Sequence, residues 1–179
     1  REERKEKLEY IIVTGDMDLL QLIDENTKVY SMARGVNQAV MYDQEKVIEK
    51  YGILPEQVVD LKALKGDQSD NIPGVPGIGE KGAAKLVAEF KNLEKIYQNL
   101  EKISPKIATI LKENKEQAIL SQKLSKISQN APLEFKLADA RVHDFDKEKV
   151  IRLFNQLGFK SLIKRLPDAQ GKTKQKSLF

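Results

Sequence analysis

The chain is expected to be an α/β protein, formed by the edge of a parallel α/β sheet followed by a helical subdomain. Three observations predict this. Tyr10 to Val13 is an unbroken apolar run closed by Thr14-Gly15, and it reads as a buried strand. Asp16 and Asp18 follow at once, just past the C-terminal end of that strand, where α/β sheets place their chemistry. From residue 43 onward the readable elements are helices, punctuated by Gly52, Pro55, Pro105 and Gly158. The expected divisions are residues 1–54 for the sheet part, 55–166 for the helical subdomain and 167–179 for a disordered tail.

The elements are read in order. REERKEKLE looks like the tail of a helix leading into the strand at Tyr10–Val13. Asp16 and Asp18 head a helix whose apolar positions are Leu19, Leu20, Leu22 and Ile23. Lys28 to Met32 reads as a strand, and Gln38 to Tyr42 as another after the ARGVN turn. A helix covers roughly 43–51 and stops at Gly52, and another runs from Pro55 to Lys65 with proline in its first turn. Helices are then expected over about 79–90, from Asn92 to about Leu100, from Pro105 to about Lys126 without interruption, and from Asp146 to Leu157. Residues 128–145 read as a loop with at most one short strand, and His143 is taken as a surface residue.

Composition narrows the class. Hydrophobic residues make up 40% of the 179 and charged residues 32%, enough for a core under a highly charged surface. There is no cysteine, hence no disulfide framework and no thiolate-ligated zinc. No apolar run approaches the length of a membrane span, and the expected location is the cytoplasm. The net charge of +4 hides an asymmetry: residues 1–80 hold 10 Lys/Arg against 16 Asp/Glu, and residues 81–179 hold 21 against 11. An acidic half that gathers divalent cations, joined to a basic half that tracks phosphate, suits a protein acting on nucleic acid.

The most informative stretch is GDQSDNIPGVPGIGEKGAAKL at 66–86. Asp67 and Asp70 end a helix, a Pro/Gly-rich turn follows, and a second helix opens with Lys81 and Lys85. Gly74, Gly77 and Gly79 allow bare backbone to approach another molecule. The unpaired amides at the start of the next helix lie at the positive end of its dipole, and two lysines one turn apart reinforce them. This is a phosphate seat, with carboxylates beside it that can gather a metal.

These residues resemble the 5′-nuclease superfamily, in particular the 5′→3′ exonuclease domain of bacterial DNA polymerase I, with flap endonucleases as more distant relatives. The family writes residues 66–83 as G-D-x-S-D-N-x-P-G-V-x-G-I-G-x-K-T-A, its helix–three-turn–helix DNA-binding motif. This chain departs at Gly82, where the family usually has Thr; glycine there weakens the first turn of the helix by at most about 1 kcal/mol. TGDMD at 14–18 is similar to the family's T-G/A-D-x-D, and RLFNQLGFKSLIKRL resembles the signature that closes the domain. The resemblance covers roughly residues 8–166.

The resemblance implies metal-dependent hydrolysis of DNA 5′ ends or flaps, in replication and repair. Asp16, Asp18 and Asp70, with Asp67, become the metal ligands, for two Mg²⁺ or Mn²⁺ ions. Gly74, Gly77, Gly79, Lys81 and Lys85 become contacts to duplex DNA, made without reading sequence. The main-chain carbonyls of Val75 and Ile78 become ligands for K⁺. The family's further carboxylates and its basic arch are expected to lie before Arg1, so this chain is expected to be a C-terminal part of the domain, monomeric, and inactive alone. Gln175-Lys176-Ser177-Leu178-Phe179 resembles the bacterial sliding-clamp-binding peptide at Gln175, Ser177, Leu178 and Phe179, which implies a clamp as partner. Two other classes use the same features. Non-catalytic helix–hairpin–helix modules bind DNA through such a glycine turn, but gain nothing from four acids beside phosphate. A structural or tethering role within a larger polymerase is the other.

Overall fold

β1 (Tyr10–Thr14) and β2 (Thr27–Ser31) pair in parallel with Ile12 opposite Val29, and β3 (Val40–Tyr42) pairs antiparallel with β2 through Val29 and Tyr42. The order of this sheet is β1-β2-β3. The computed structural model describes residues 8–33, 35, 38–140 and 145–166. It divides into two compact units, Arg1–Pro132 and Leu133–Phe179.

Two expectations change in the first unit. β1 is not buried on both faces. It is an edge strand among the described residues, with only β2 beside it, and Val13 is 59% exposed. The segment after Asp16 forms a short 3₁₀ turn, Met17–Leu22, rather than an α-helix. Ile23 is already extended, so the segment is too short to sustain an α-helical ladder.

The helices follow from local signals. α1 (Gln44–Tyr51) opens on Asp43, whose carboxylate accepts from the Lys46 amide at 2.9 Å, and closes on Gly52 at φ 70°. A 3₁₀ turn, Pro55–Gln57, leads into α2 (Val58–Lys65). α3 (Glu80–Phe90) and α4 (Leu93–Gln98) come next, and Asn92 caps α4 through the Lys95 amide at 2.9 Å. The expected long helix is two, α5 (Pro105–Glu113) and α6 (Lys115–Ser125). Asn114 breaks it: its φ and ψ of −113° and 23° leave the helical region, and its amide side chain donates to the Ile110 carbonyl at 2.8 Å. The Tyr97 hydroxyl takes the Leu111 carbonyl at 3.0 Å.

One core joins these elements. Leu20, Ile23, Val29 and Val47 continue into Leu61, Leu64, Val75, Ile78, Val87, Ile96 and Leu111. α2 lies at its centre, and α6 approaches it through the small buried residues Ala118, Ser121 and Ser125. Polar groups fix the register of the packing. The Asp60 carboxylate accepts from the Leu93 amide at 3.0 Å and from Gln122 at 2.6 Å. Gln57 donates to the carbonyls of Val87 and Lys91 at the end of α3, at 3.2 and 2.6 Å. Gln21 donates to the Ser125 carbonyl and accepts from the Ile127 amide, both at 3.0 Å.

The second unit holds a 3₁₀ turn, Leu137–Ala140, then α7 (Lys147–Gln156), capped by Asp146, and α8 (Lys160–Ile163). Gly158 at φ 74° turns the chain between α7 and α8, and Phe154 meets Phe159 edge-on at 5.9 Å. No strand forms between 128 and 140 in the described residues; His143 lies outside them.

Candidate metal centre and nucleic-acid interface

The site begins with the way the chain folds on itself after α2. Gly66 ends that helix at φ 74° and ψ −179°, a conformation open in practice only to glycine. The amides and carbonyls of Asp67 and Ile72 then pair reciprocally at 2.8 and 2.9 Å, closing a tight loop that displays Ser69 and Asp70. The strand of chain after the loop returns across Gly66 at Gly74. A Cβ on Gly74 would lie 2.2 Å from the Gly66 nitrogen, so two backbones touch where no side chain fits. Gly74 is buried, its amide donates to Ser121 Oγ at 3.0 Å, and its carbonyl accepts from Gln117 at 2.6 Å. The close approach that requires this glycine is therefore internal to the chain.

That fold brings Asp67 and Asp70 beside Asp18, which stands in the 3₁₀ turn after β1. Each of the three offers a carboxylate oxygen, and these oxygens all lie within 4.8 Å of one another. They line an open cleft of about 440 Å³ with Asp16, Lys62, Lys65 and Ser69. Asp16 stands apart from the trio. It caps the 3₁₀ turn, its Oδ1 accepting the Asp18 amide at 2.9 Å, while its own amide donates to Thr14 Oγ1 at 2.9 Å. It lines the same cleft without joining the three close oxygens.

The cleft holds a cation of its own that sequence reading missed. Lys62 is buried in α2, and its ammonium pairs with Asp18 Oδ1 and with Asp67 Oδ2, the latter at 2.6 Å. The Lys62 hydrogen bond, followed by the one from Ser69 Oγ at 2.5 Å, holds the Asp67 carboxyl down at about 2. Asp60, deeper in the packing, moves the other way: burial raises it, against the bonds from Leu93 and Gln122 that favour its charge. A signal for Lys62 was present, since a lysine stands among the apolar residues of Leu61-Lys62-Ala63-Leu64 five positions before Asp67. A lone lysine in a helix is ordinarily a solvated one, and only the fold turns it toward the acids.

The second half of the motif is the entry to α3. Val75 and Ile78 bury their side chains, and the Val75 carbonyl accepts the Ile78 amide at 3.0 Å. Gly77 takes φ 87° at the surface, where glycine is the residue that adopts it freely. Gly79 is the N-cap of α3 and offers no side chain to its first amides. Lys81 and Lys85 are exposed on the helix that follows. Lys85 also lines a groove of about 520 Å³ that runs past Gly77, Gly79 and Gly82 to Ser104. Lys65 joins the two halves: it lines the acidic cleft and pairs with Glu80, in the first turn of α3, at 2.7 Å. Gln175, Leu178 and Phe179 lie outside the described residues.

Residues 53–148, more than half of the chain, match the family described as 5′-3′ exonuclease, C-terminal SAM fold. The chain belongs to this 5′-3′ exonuclease family. Members with a similar sequence are bacterial DNA polymerases I. That of Caldicellulosiruptor bescii is 49% identical over 161 residues, covering 89% of this chain and 19% of the polymerase. That of Bacillus subtilis is 40% identical over 172 residues, covering 96% of this chain and 20% of the polymerase. The chain thus spans about a fifth of the length of these relatives. Among solved structures it is similar to the bacteriophage T5 flap endonuclease in a pseudo-enzyme–product complex with DNA and metal ions, at 25% identity and a TM-score of 0.57, over 65% of this chain and 42% of that one. It is equally similar to the T5 5′-exonuclease with bound zinc, at 26% identity and a TM-score of 0.58 over the same shares. The match to the exonuclease family takes in α2, the Asp67–Ile72 loop and α3; Asp16 and Asp18 lie before the residues it covers.

Among the described residues no helix is long and apolar enough to cross a membrane.

Proposed function

We propose that this chain is the part of a 5′→3′ exonuclease or flap endonuclease domain that completes its metal cage and holds the duplex beside it. One observation carries the reading: carboxylate oxygens of Asp18, Asp67 and Asp70 lie within 4.8 Å of one another, the last two on a loop that leads into a glycine-capped helix bearing two exposed lysines. The donor set fits divalent metal. Carboxylate oxygens are hard ligands, which favour Mg²⁺ or Mn²⁺ over softer choices. Asp18, Asp67 and Asp70 would hold such an ion, with Asp16 on the rim of the same cleft. When bound, divalent ions stabilise charge on the attacking and leaving oxygens of a phosphodiester and lower the pKa of water.

The chain's own residues do the rest. Gly77 and Gly79 let a phosphate reach the first amides of α3, where the helix dipole favours negative charge. Lys81 and Lys85 add charge on the same face, and none of these contacts reads a base, so binding is independent of sequence. The carbonyls of Val75 and Ile78 are proposed to hold a K⁺ ion at the turn. The Lys65–Glu80 pair, at 2.7 Å, links α2 to the first turn of α3. Substrates are therefore duplexes with a 5′ end or flap, and the protein is expected to act as a monomer.

The non-catalytic reading separates from this one by experiment. The chain alone should show little Mg²⁺-dependent flap cleavage, whereas a version extended upstream to match its longer relatives should cleave. In that longer protein Asp70→Ala should abolish cutting and leave duplex binding nearly intact. Turnover by the short chain equal to that of the long one would refute the division of the cage, and retained cutting by Asp70→Ala would refute the metal role.

A further inference from the structure

Lys62 is not explained by DNA binding. It is 6% exposed, it lies among Leu61, Ala63 and Leu64, and its ammonium is spent on two carboxylates rather than turned to the surface. Lys81 and Lys85, by contrast, are exposed. An ammonium has three donors and no lone pair, so it cannot ligate a metal; it can only stand where one would be attracted. The carboxylates it touches, Asp18 and Asp67, are two of the three that lie within 4.8 Å of one another.

We propose that Lys62 is a built-in counter-ion of the acidic cleft, which holds Asp18 and Asp67 together when no metal is bound and must release them for a divalent cation to bind. The proposal rests on the reading that Asp18, Asp67 and Asp70 gather a metal. Like charges so close repel strongly in a partly buried site, and an ammonium between two of them removes that repulsion. The same contact makes Lys62 a competitor, because one carboxylate oxygen cannot serve the ammonium and the metal equally well. Lys62 therefore has two effects of opposite sign. It stabilises the cleft before metal arrives, and it lowers the affinity for metal. It keeps its proton throughout; what changes is its partner. A lysine that merely braced the site would have a single sign, since its loss would disorder the ligands and weaken metal binding.

Lys65 is the internal control. It lines the same cleft, but its pair is with Glu80 and its side chain is 25% exposed. The test is a Mn²⁺ titration of the 179-residue chain, free Mn²⁺ being read by electron paramagnetic resonance, for the unaltered protein, Lys62→Met, Lys65→Met and Asp70→Ala. Lys62→Met should tighten Mn²⁺ binding about tenfold, the effect of removing one close opposing contact, and Lys65→Met by no more than about twofold. Affinity that is unchanged or weaker in Lys62→Met, or tightened equally in Lys65→Met, overturns the proposal. Absence of Mn²⁺ binding that Asp70→Ala removes would instead refute the metal reading itself. A measurement on the unaltered chain covers the case in which Lys62→Met does not fold. The protected Lys62 ammonium should give a slowly exchanging ¹H–¹⁵N signal that disappears or shifts on saturation with Mg²⁺, and a signal that stays in place overturns the proposal.

Discussion

Alanine at Gly74 is expected to be among the most damaging single changes in this chain, and the reason is geometric. Gly74 has φ 63°, and its Cβ would lie 2.2 Å from the Gly66 nitrogen and 2.6 Å from both Gly66 Cα and the Lys65 carbonyl carbon. All three atoms are backbone, so no rotamer change can make room. The left-handed conformation alone costs a residue with a Cβ about 1–2 kcal/mol. Relieving the clash must separate the two chain segments, which breaks the buried bonds of Gly74 to Ser121 and Gln117, at about 1 kcal/mol each. The sum is about 3–4 kcal/mol, a large part of the stability of a domain this size. Two neighbours calibrate it. At Gly77, φ is 87° but the nearest atom to a Cβ is Ile110 Cδ1 at an ordinary 3.6 Å, so Gly77→Ala should cost about 1–2 kcal/mol, from backbone strain alone. At Gly79, φ is negative and nothing lies within 4 Å, so Gly79→Ala should be within about 0.5 kcal/mol of neutral. The assay is urea unfolding followed by circular dichroism, with free energies compared at constant m-value. If Gly74→Ala costs no more than Gly77→Ala, the close approach of the two backbones does not hold the loop as described.

The remaining predictions concern charge. Asp67 has a folded pKa of about 2 against an ordinary 3.8, so it contributes stability that is complete above the unfolded value and is lost as pH falls from about 4 to about 2. In metal-free buffer Asp67→Asn should cost about 2 kcal/mol at pH 7, and the difference from the unaltered protein should shrink over that acid window; a difference that does not vary with pH would remove the Lys62 and Ser69 bonds as its cause. Lys81→Ala and Lys85→Ala should each weaken duplex binding equally across sequences and lower the slope of log affinity against log salt by about 0.9, and a sequence-dependent loss would mean that these lysines read bases. Binding measured in K⁺ should exceed that in Na⁺ at equal concentration, and equal binding would count against a cation at the Val75 and Ile78 carbonyls.

Much of this protein is determined by interactions within a few residues, and that part was legible. Asp43 and Asn92 cap helices because a short polar side chain reaches an amide three residues on. Gly52 ends α1 because it alone enters the left-handed region freely. Asp67 and Asp70 adjoin a glycine-capped helix because all three belong to one continuous stretch of chain, which is also what carries the family resemblance. Other features depend on groups distant in sequence, and only the tertiary structure decided them. Asp18 joins Asp67 and Asp70 across some fifty residues, whereas Asp16, two positions away, is occupied with its own helical turn. Lys62 became a partner of two acids because packing α2 at the centre of the core left its ammonium no solvent to face. Asn114 split an apparently continuous helix by bonding back to Ile110. Gly74 illustrates the difference most directly. Its sequence context shows that a turn needs glycine, but whether that glycine admits an outside phosphate or another part of the same chain depends on what stands opposite. Here it is Gly66, because a backbone that reverses so tightly has room for neither Cβ.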